Sequence, residues 1–214
     1  MKKLLIIILL LSANIVFAHQ PRLVKDELTI IENPEISQAF YGELIGEPAL
    51  YSVQAEQPFS LYIGILVPDI PNIDKDVSVE IYKDDEFMAL LNGENHEWTE
   101  FYEEFAGDNY FWGPEYKNEN TEDFEIKGIE SEAGAYVFKV FSPDNLGKYV
   151  FVVGEKEEFP ADEIVNTFKV LPELKTDFFG KSVFSIFLSK IGVFLLIPIV
   201  LIIGIILLII IKRK

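Results

Sequence analysis

Residues 96–116 concentrate the side chains best suited to holding a ligand. Both tryptophans of the chain lie here, Trp98 and Trp112, with Tyr102, Tyr110 and Tyr116 alongside and carboxylates interleaved throughout. Aromatic faces flanked by acids make a platform for a sugar ring or a cage for an amine, through dispersion and the pull of the ring quadrupole on a cation. Gly107-Asp108-Asn109 and Gly113-Pro114 carry turn signals that would fold the stretch over itself. The same composition fits a second use, a structured Ω-like insertion whose rings plug one end of a β-sandwich. The candidate contacts are therefore Trp98, Tyr102, Tyr110, Trp112 and Tyr116, for a carbohydrate, a cation or a protein.

The two histidines raise a different chemistry. Cleavage of a leader after Ala18 makes His19 the first residue, and His96 is the other histidine of the chain. A terminal amine, its own imidazole and one further imidazole offer nitrogen donors that suit Cu(II). A mature N-terminal histidine of this kind resembles the histidine brace of lytic polysaccharide monooxygenases and periplasmic copper carriers. That resemblance implies a copper-binding envelope protein using His19 and His96; the alternative is a histidine that stands at the cleavage point incidentally. For calcium, Asp84-Asp85-Glu86, Asp108-Asn109 and residues 119–123 supply hard oxygen ligands, yet none has the Asp-x-Asp-x-Asp-Gly spacing of a dedicated loop. No motif requires a cofactor. The chain lacks cysteine, a Gly-x-Ser-x-Gly elbow and a His-Glu-x-x-His helix, so a non-enzymatic role is expected.

Two apolar ends must position whatever lies between them. Lys2-Lys3, the apolar run 4–11 and the small-residue site Val16-Phe17-Ala18 read as a signal peptide over residues 1–18. Residues 191–211 carry no charge and are followed by Lys212-Arg213-Lys214. At 1.5 Å per residue, about 21 residues reach across a hydrocarbon layer of about 30 Å. Gly192, Pro198 and Gly204 are tolerated in such helices. The basic tail favours the cytoplasmic side, so a single pass is expected, N-terminus outside, with residues 212–214 inside. Residues 178–190 mix phenylalanines, serines, Lys181 and Lys190, a composition suited to a stem at the headgroup boundary. The lipid bilayer is thus the expected partner of the C-terminal helix, with docking inside a larger membrane complex as an alternative use.

Between these ends lie all 35 acidic residues but only 13 of the 18 lysines and arginines, leaving about 22 net negative charges. Nucleic acid needs a basic footprint, so it is not an expected partner. Cysteine is absent although the compartment would permit disulfides, and some 150 residues bury a core without them. With no Asn-x-Ser/Thr acceptor in the chain, a prokaryotic cell envelope is the expected home.

Residues 19–177 read as one extracytoplasmic β-sandwich. Residues 28–31, 51–55, 77–82 and 87–91 have strand character, residues 83–86 form a turn, and residues 59–67 are almost wholly apolar, as in a strand buried on both faces. Residues 35–44 mix helix and strand character. Further strands are expected at 124–129, 136–141 and 149–153. The last two begin with an echo: Gly134-Ala135-Tyr136-Val137-Phe138 and Gly147-Lys148-Tyr149-Val150-Phe151. A Gly two residues before a strand-entering Tyr suits a tight corner with φ > 0 and a phenol bonded back to the turn. These endings resemble the corner of immunoglobulin-like sandwiches and the close of bacterial pre-peptidase C-terminal (jelly-roll) domains. The helical period of 160–171, opened by Pro160 and acids, puts Ile164, Val165, Phe168 and Leu171 on one face. The expected protein is a mainly β sandwich, jelly-roll or Ig-like, with a short C-terminal helix and one transmembrane helix. Its expected role is binding or scaffolding outside the membrane.

Overall fold

A computed structural model describes residues 19–118 and 128–192, together with Leu196 and Gly204. The signal segment 1–18, the acids at 119–123, most of the strand expected at 124–129, and all but Ile191, Gly192, Leu196 and Gly204 of the span at 191–211 lie outside the described residues. Among the described residues no helix is long and apolar enough to cross a membrane.

The chain is mainly β and forms a sandwich. One sheet has six strands in the order β1 (Gln20–Leu23), β3 (Gln38–Ile45), β13 (Leu146–Val153), β6 (Ile63–Pro68), β10 (Asp108–Tyr116) and β9 (Thr99–Glu103). The other has five: β2 (Leu28–Ile30), β4 (Ala49–Ala55), β12 (Gly134–Phe141), β7 (Ser78–Lys83) and β8 (Glu86–Leu91). A short pair, β5 (Phe59–Leu61) with β11 (Ile129–Ser131), closes one side. Pairing is antiparallel except for β1 with β3 and β2 with β4. Most of the stretch 35–44, ambiguous in sequence, becomes β3, which starts at Gln38.

Between the sheets, alternate residues of facing strands fill the core: Phe40 and Leu44, Tyr51 and Val53, Ile65 and Val67, Val79 and Ile81, Phe138 and Val140, Phe151 and Val153. The echoed corners behave differently from each other. Gly134 and Gly147 both have positive φ, at +155° and +109°. The Tyr136 hydroxyl donates back to the Glu132 carbonyl at 2.7 Å, closing a tyrosine corner. Tyr149 instead meets the Tyr51 hydroxyl across the core at 2.9 Å. Its ring lies over Gly42, where a Cβ would sit 2.4 Å from the ring, so only glycine fits beneath it.

Four expectations need correction. The apolar run 59–67 is two strands, because the chain leaves the β5–β11 pair and joins the six-stranded sheet; Tyr62 stands at the break and donates to Glu115 at 2.5 Å. Residues 96–116 are mostly the hairpin β9–β10 and not a loop. Gly113-Pro114 is a bulge in β10, where proline has no N–H to give the ladder, and not a turn. The helix α1 (Ala161–Glu173) is present, but rolled away from the expected face: Thr167 and Leu171 are buried, whereas Ile164 and Val165 are exposed. A bidentate pair of Arg22 on β1 with Glu163, at 2.7 and 2.8 Å, and Asn166 donating to the Pro21 carbonyl set that roll.

Beyond α1 the chain widens into a π-turn (Leu174–Phe178) and then, past Gly180, forms a tighter 3-10 helix (Val183–Leu188). This tail lies on the outer face of the six-stranded sheet, where Leu174, Phe178 and Phe179 pack on Ala39, Tyr62, Leu66, Tyr110, Val150 and Val152. The sheet is therefore buried on both faces, which is why β6 is apolar at every position.

Candidate functional site

The densest polar constellation sits where the tip of the β9–β10 hairpin meets this tail. Glu103 caps the tip: its carboxylate accepts from the backbone N–H groups of Phe105 at 2.6 Å and Ala106 at 2.7 Å. Gly107 turns the chain with φ +76°, and a Cβ there would lie 3.0 Å from the Ser189 side chain. Asp108 follows, buried, at the start of β10. Its carboxylate takes Lys175 Nζ at 2.6 Å on one oxygen and Lys181 Nζ at 2.9 Å on the other. Lys175 is 0% exposed and also donates to the Ala106 carbonyl at 2.7 Å.

Aromatic rings wall this cluster. Phe179 lies edge-on to Tyr110 and Phe178 edge-on to Tyr41, with ring centroids 5.4 and 5.2 Å apart. The Tyr41 and Tyr110 hydroxyls meet at 3.1 Å. Lys148 donates to the carbonyls of Asp177 and Phe178 at 2.6 and 3.0 Å, capping the π-turn. Further along, Lys190 pairs with Glu104, and the Ile191 N–H donates to the Phe105 carbonyl at 3.1 Å. Burial pushes the Tyr41 and Tyr110 phenols well above their usual range, with Glu103 and Asp108 adding repulsion. Burial also raises the Glu103 carboxyl, against the two backbone N–H groups that favour its charged form. The arrangement is mechanical in character: its cations, carboxylates and phenols engage one another and so clamp the tail to the hairpin.

The aromatics singled out in sequence divide between layers. Trp98 packs toward the inter-sheet core with Phe111 and Tyr116, and its Nε1 donates to the Gly93 carbonyl at 2.8 Å. Tyr110 and Trp112 face the opposite side, under the tail, where Trp112 meets Phe101 edge-on at 5.0 Å. Tyr102 alone of the five is largely free, 54% exposed on the edge strand β9. The five do not form one platform. The histidines are not brought together either. His19 precedes β1, with its Nδ1 against the Ser37 hydroxyl, whereas His96 precedes β9 and packs on Trp98. β1 and β9 are opposite edges of the six-stranded sheet, and at about 4.8 Å per neighbour those edges are on the order of 24 Å apart. Among the described residues no group of three or more His, Asp or Glu is placed to hold a metal ion. Of the calcium candidates, Asp84 accepts from the Ala135 N–H in a turn and Asp108 is taken by two lysines.

Lys175, Glu103 and Tyr41 were not singled out by sequence reasoning. The signal for Lys175 was available: Leu171, Leu174, Lys175 and Phe178 fall at i, i+3, i+4 and i+7, which places a lysine inside an apolar stripe. A charge in that position requires a buried partner.

No family model matches the chain, and no curated protein does. Among solved structures it is similar to the pre-peptidase C-terminal domain of a collagenase from Bacillus anthracis, with 12% identity and a TM-score of 0.35, over 61% of this chain and 96% of that one. It is also similar to a β-glucosidase from Paenibacillus barengoltzii, with 12% identity and a TM-score of 0.23, over 63% of this chain and 13% of that enzyme. The likeness to pre-peptidase C-terminal domains that the Gly-x-Tyr endings carry is thus met by a structure of that kind, at low similarity.

Proposed function

We propose that this chain is a non-enzymatic binding or scaffolding domain, tethered outside a membrane by residues 191–211 and held at a fixed angle by its docked tail. The observation that carries this reading is the buried Lys175–Asp108 pair together with the Ile191–Phe105 backbone bond. A passive leash would stay solvated, with no fully buried ion pair and no sheet face under it. Here Ile191, the first residue of the charge-free stretch, is itself bonded into the fold, so the orientation of the sandwich follows that of the stretch it opens. The layer turned away from the tail, the outer face of the five-stranded sheet, is the surface such a scaffold would present. It carries exposed Leu28, Ile30 and Leu50 at one edge, and Phe87, Met88 and Leu90 at the other. Between them lie Glu80, Lys139 and Tyr82, joined by hydrogen bonds. A protein or neutral glycan fits this mixed surface, and the acidic field disfavours polyanions.

Because the chain has no cysteine, paired spin labels report the geometry cleanly. Full-length protein in vesicles, labelled at Phe87→Cys and Leu196→Cys, should float with the lipid and give one narrow distance distribution. Failure to float would end the tether reading, and a broad distribution in a floating chain would end the fixed orientation.

A further inference from the structure

Among the described residues, the 3-10 helix Val183–Leu188 is covered on one side only. Ile186 points inward and packs with Leu171 and Ile191. The other side shows Leu188 at 88% exposure, Phe184 at 72% and Phe187 at 42%. Ser182 caps the element by accepting from the Phe184 N–H at 3.3 Å, which fixes this display on a short rigid turn. In a 3-10 helix residues three apart eclipse one another, so Phe184 and Phe187 form one row. Water is a costly neighbour for such a row, at roughly 25 cal/mol per Å² of apolar surface left uncovered.

We infer that this row lies in the interfacial layer of the bilayer, as a shallow foot beside the spanning segment. The inference rests on the tether reading above and adds a second, monotopic contact to it. Two arguments select lipid as the occupant. The row ends at Leu188, three residues before the uncharged stretch that opens at Ile191 and is long enough to cross a hydrocarbon layer, so the row stands beside the point where the chain would enter the membrane. A second copy of the chain is the competing cover, but it would bring together two sandwiches of about 22 negative charges each, whose fields repel. Phenylalanines and a leucine at this depth, with Tyr102 nearby on the hairpin, match the side chains that favour the membrane boundary. Tyr102 is near because a Cβ on Gly107 would lie 3.5 Å from its hydroxyl and 3.0 Å from Ser189. The contact is apolar in character. Lys181 and Lys190, the basic residues that flank the row, pair with Asp108 and Glu104. It therefore works on zwitterionic lipid and resists salt.

The test uses full-length protein in phosphatidylcholine vesicles, with single spin labels at Phe184→Cys, Leu188→Cys and, as an aqueous control on the far sheet, Ile30→Cys. Flotation is read first, and then collision with oxygen against a water-soluble nickel chelate. The foot predicts that labels 184 and 188 collide with the chelate several-fold less than label 30 and with oxygen more, unchanged by high salt. Labels 184 and 188 reading as aqueous in a chain that floats would overturn the foot and leave the tether intact. Dipolar broadening between labels at 188 would overturn it in favour of a second copy. A chain that does not float would overturn the tether reading, and the foot with it.

Discussion

The two sheets of this sandwich share an inner core but differ in what covers their backs. The six-stranded sheet has the tail across its outer face, and behind it Asp108 and Lys175 are shielded from water. Among the described residues nothing covers the outer face of the five-stranded sheet, and its central ion pair, Glu80 with Lys139, remains partly solvated at 3.0 Å. The same chemistry, one carboxylate and one ammonium, thus stands in two dielectric settings. Burial turns a pair of marginal worth into one that cannot be broken cheaply. The lesson concerns the tail: a segment that sequence composition reads as a membrane stem also completes a core.

The comparison breaks most visibly at Asp108. Asp108→Ala leaves Lys175 charged and buried without its carboxylate, and should cost about 3–5 kcal/mol in denaturant unfolding. A loss under 1 kcal/mol would mean that the tail is not docked in solution. Next is Leu66→Ala, on the covered face and 3% exposed, expected to cost about 2–5 kcal/mol as a core truncation. Its counterpart Leu90→Ala, on the bare face, should stay within about 0.5 kcal/mol of wild type. Similar costs at the two positions would show that both faces are covered, or neither.

Smaller effects separate the two ion pairs. Lys139→Met, on the bare face, should change stability by no more than about 1 kcal/mol. The carboxylates should also respond to pH with opposite sign. Burial raises the Glu103 carboxyl, so its contribution is fullest at low pH and is lost as pH rises through the elevated folded value. For Glu80, burial is outweighed by hydrogen bonds from Lys139 and Tyr82, which lower its folded value. Its contribution is therefore present above the ordinary carboxylate range and lost as pH falls through that lowered value. In melting profiles of Glu103→Gln and Glu80→Gln, both variants should diverge from wild type as pH rises through the carboxylate range, with opposite sign. Glu80→Gln falls behind wild type, whereas Glu103→Gln is spared the loss that wild type suffers. Divergence of the same sign would remove the distinction.

Much of the sandwich was legible because its signals are local. The alternation of residues 77–82 marks a strand with one bare face, and the apolar run within 59–67 marks a strand covered twice. What covers the second face was not legible, because the decisive contact joins Lys175 to Asp108 across 67 residues. The β9–β10 hairpin escaped for a different reason. An edge strand exposed on both sides, such as Thr99–Glu103, carries polar and aromatic residues in an order that also suits a loop. The roll of α1 escaped because it depends on Arg22, 141 residues before its partner Glu163. The aromatic candidates were chosen by type, whereas the pleat of β10 sends neighbouring rings to opposite faces. The tyrosine corner at Tyr136 could be read because glycine, phenol and carbonyl all lie within five residues.

Amide hydrogen exchange across residues 171–191 of the full-length protein tests the docked tail most directly. The N–H groups of Phe179, Lys181 and Ile191 donate to the carbonyls of Leu174, Lys175 and Phe105. They should exchange as slowly as the amides of β10, and should lose that protection together in Asp108→Ala. Exchange of these amides at the rate of an unstructured chain, with β10 still protected, would contradict the account.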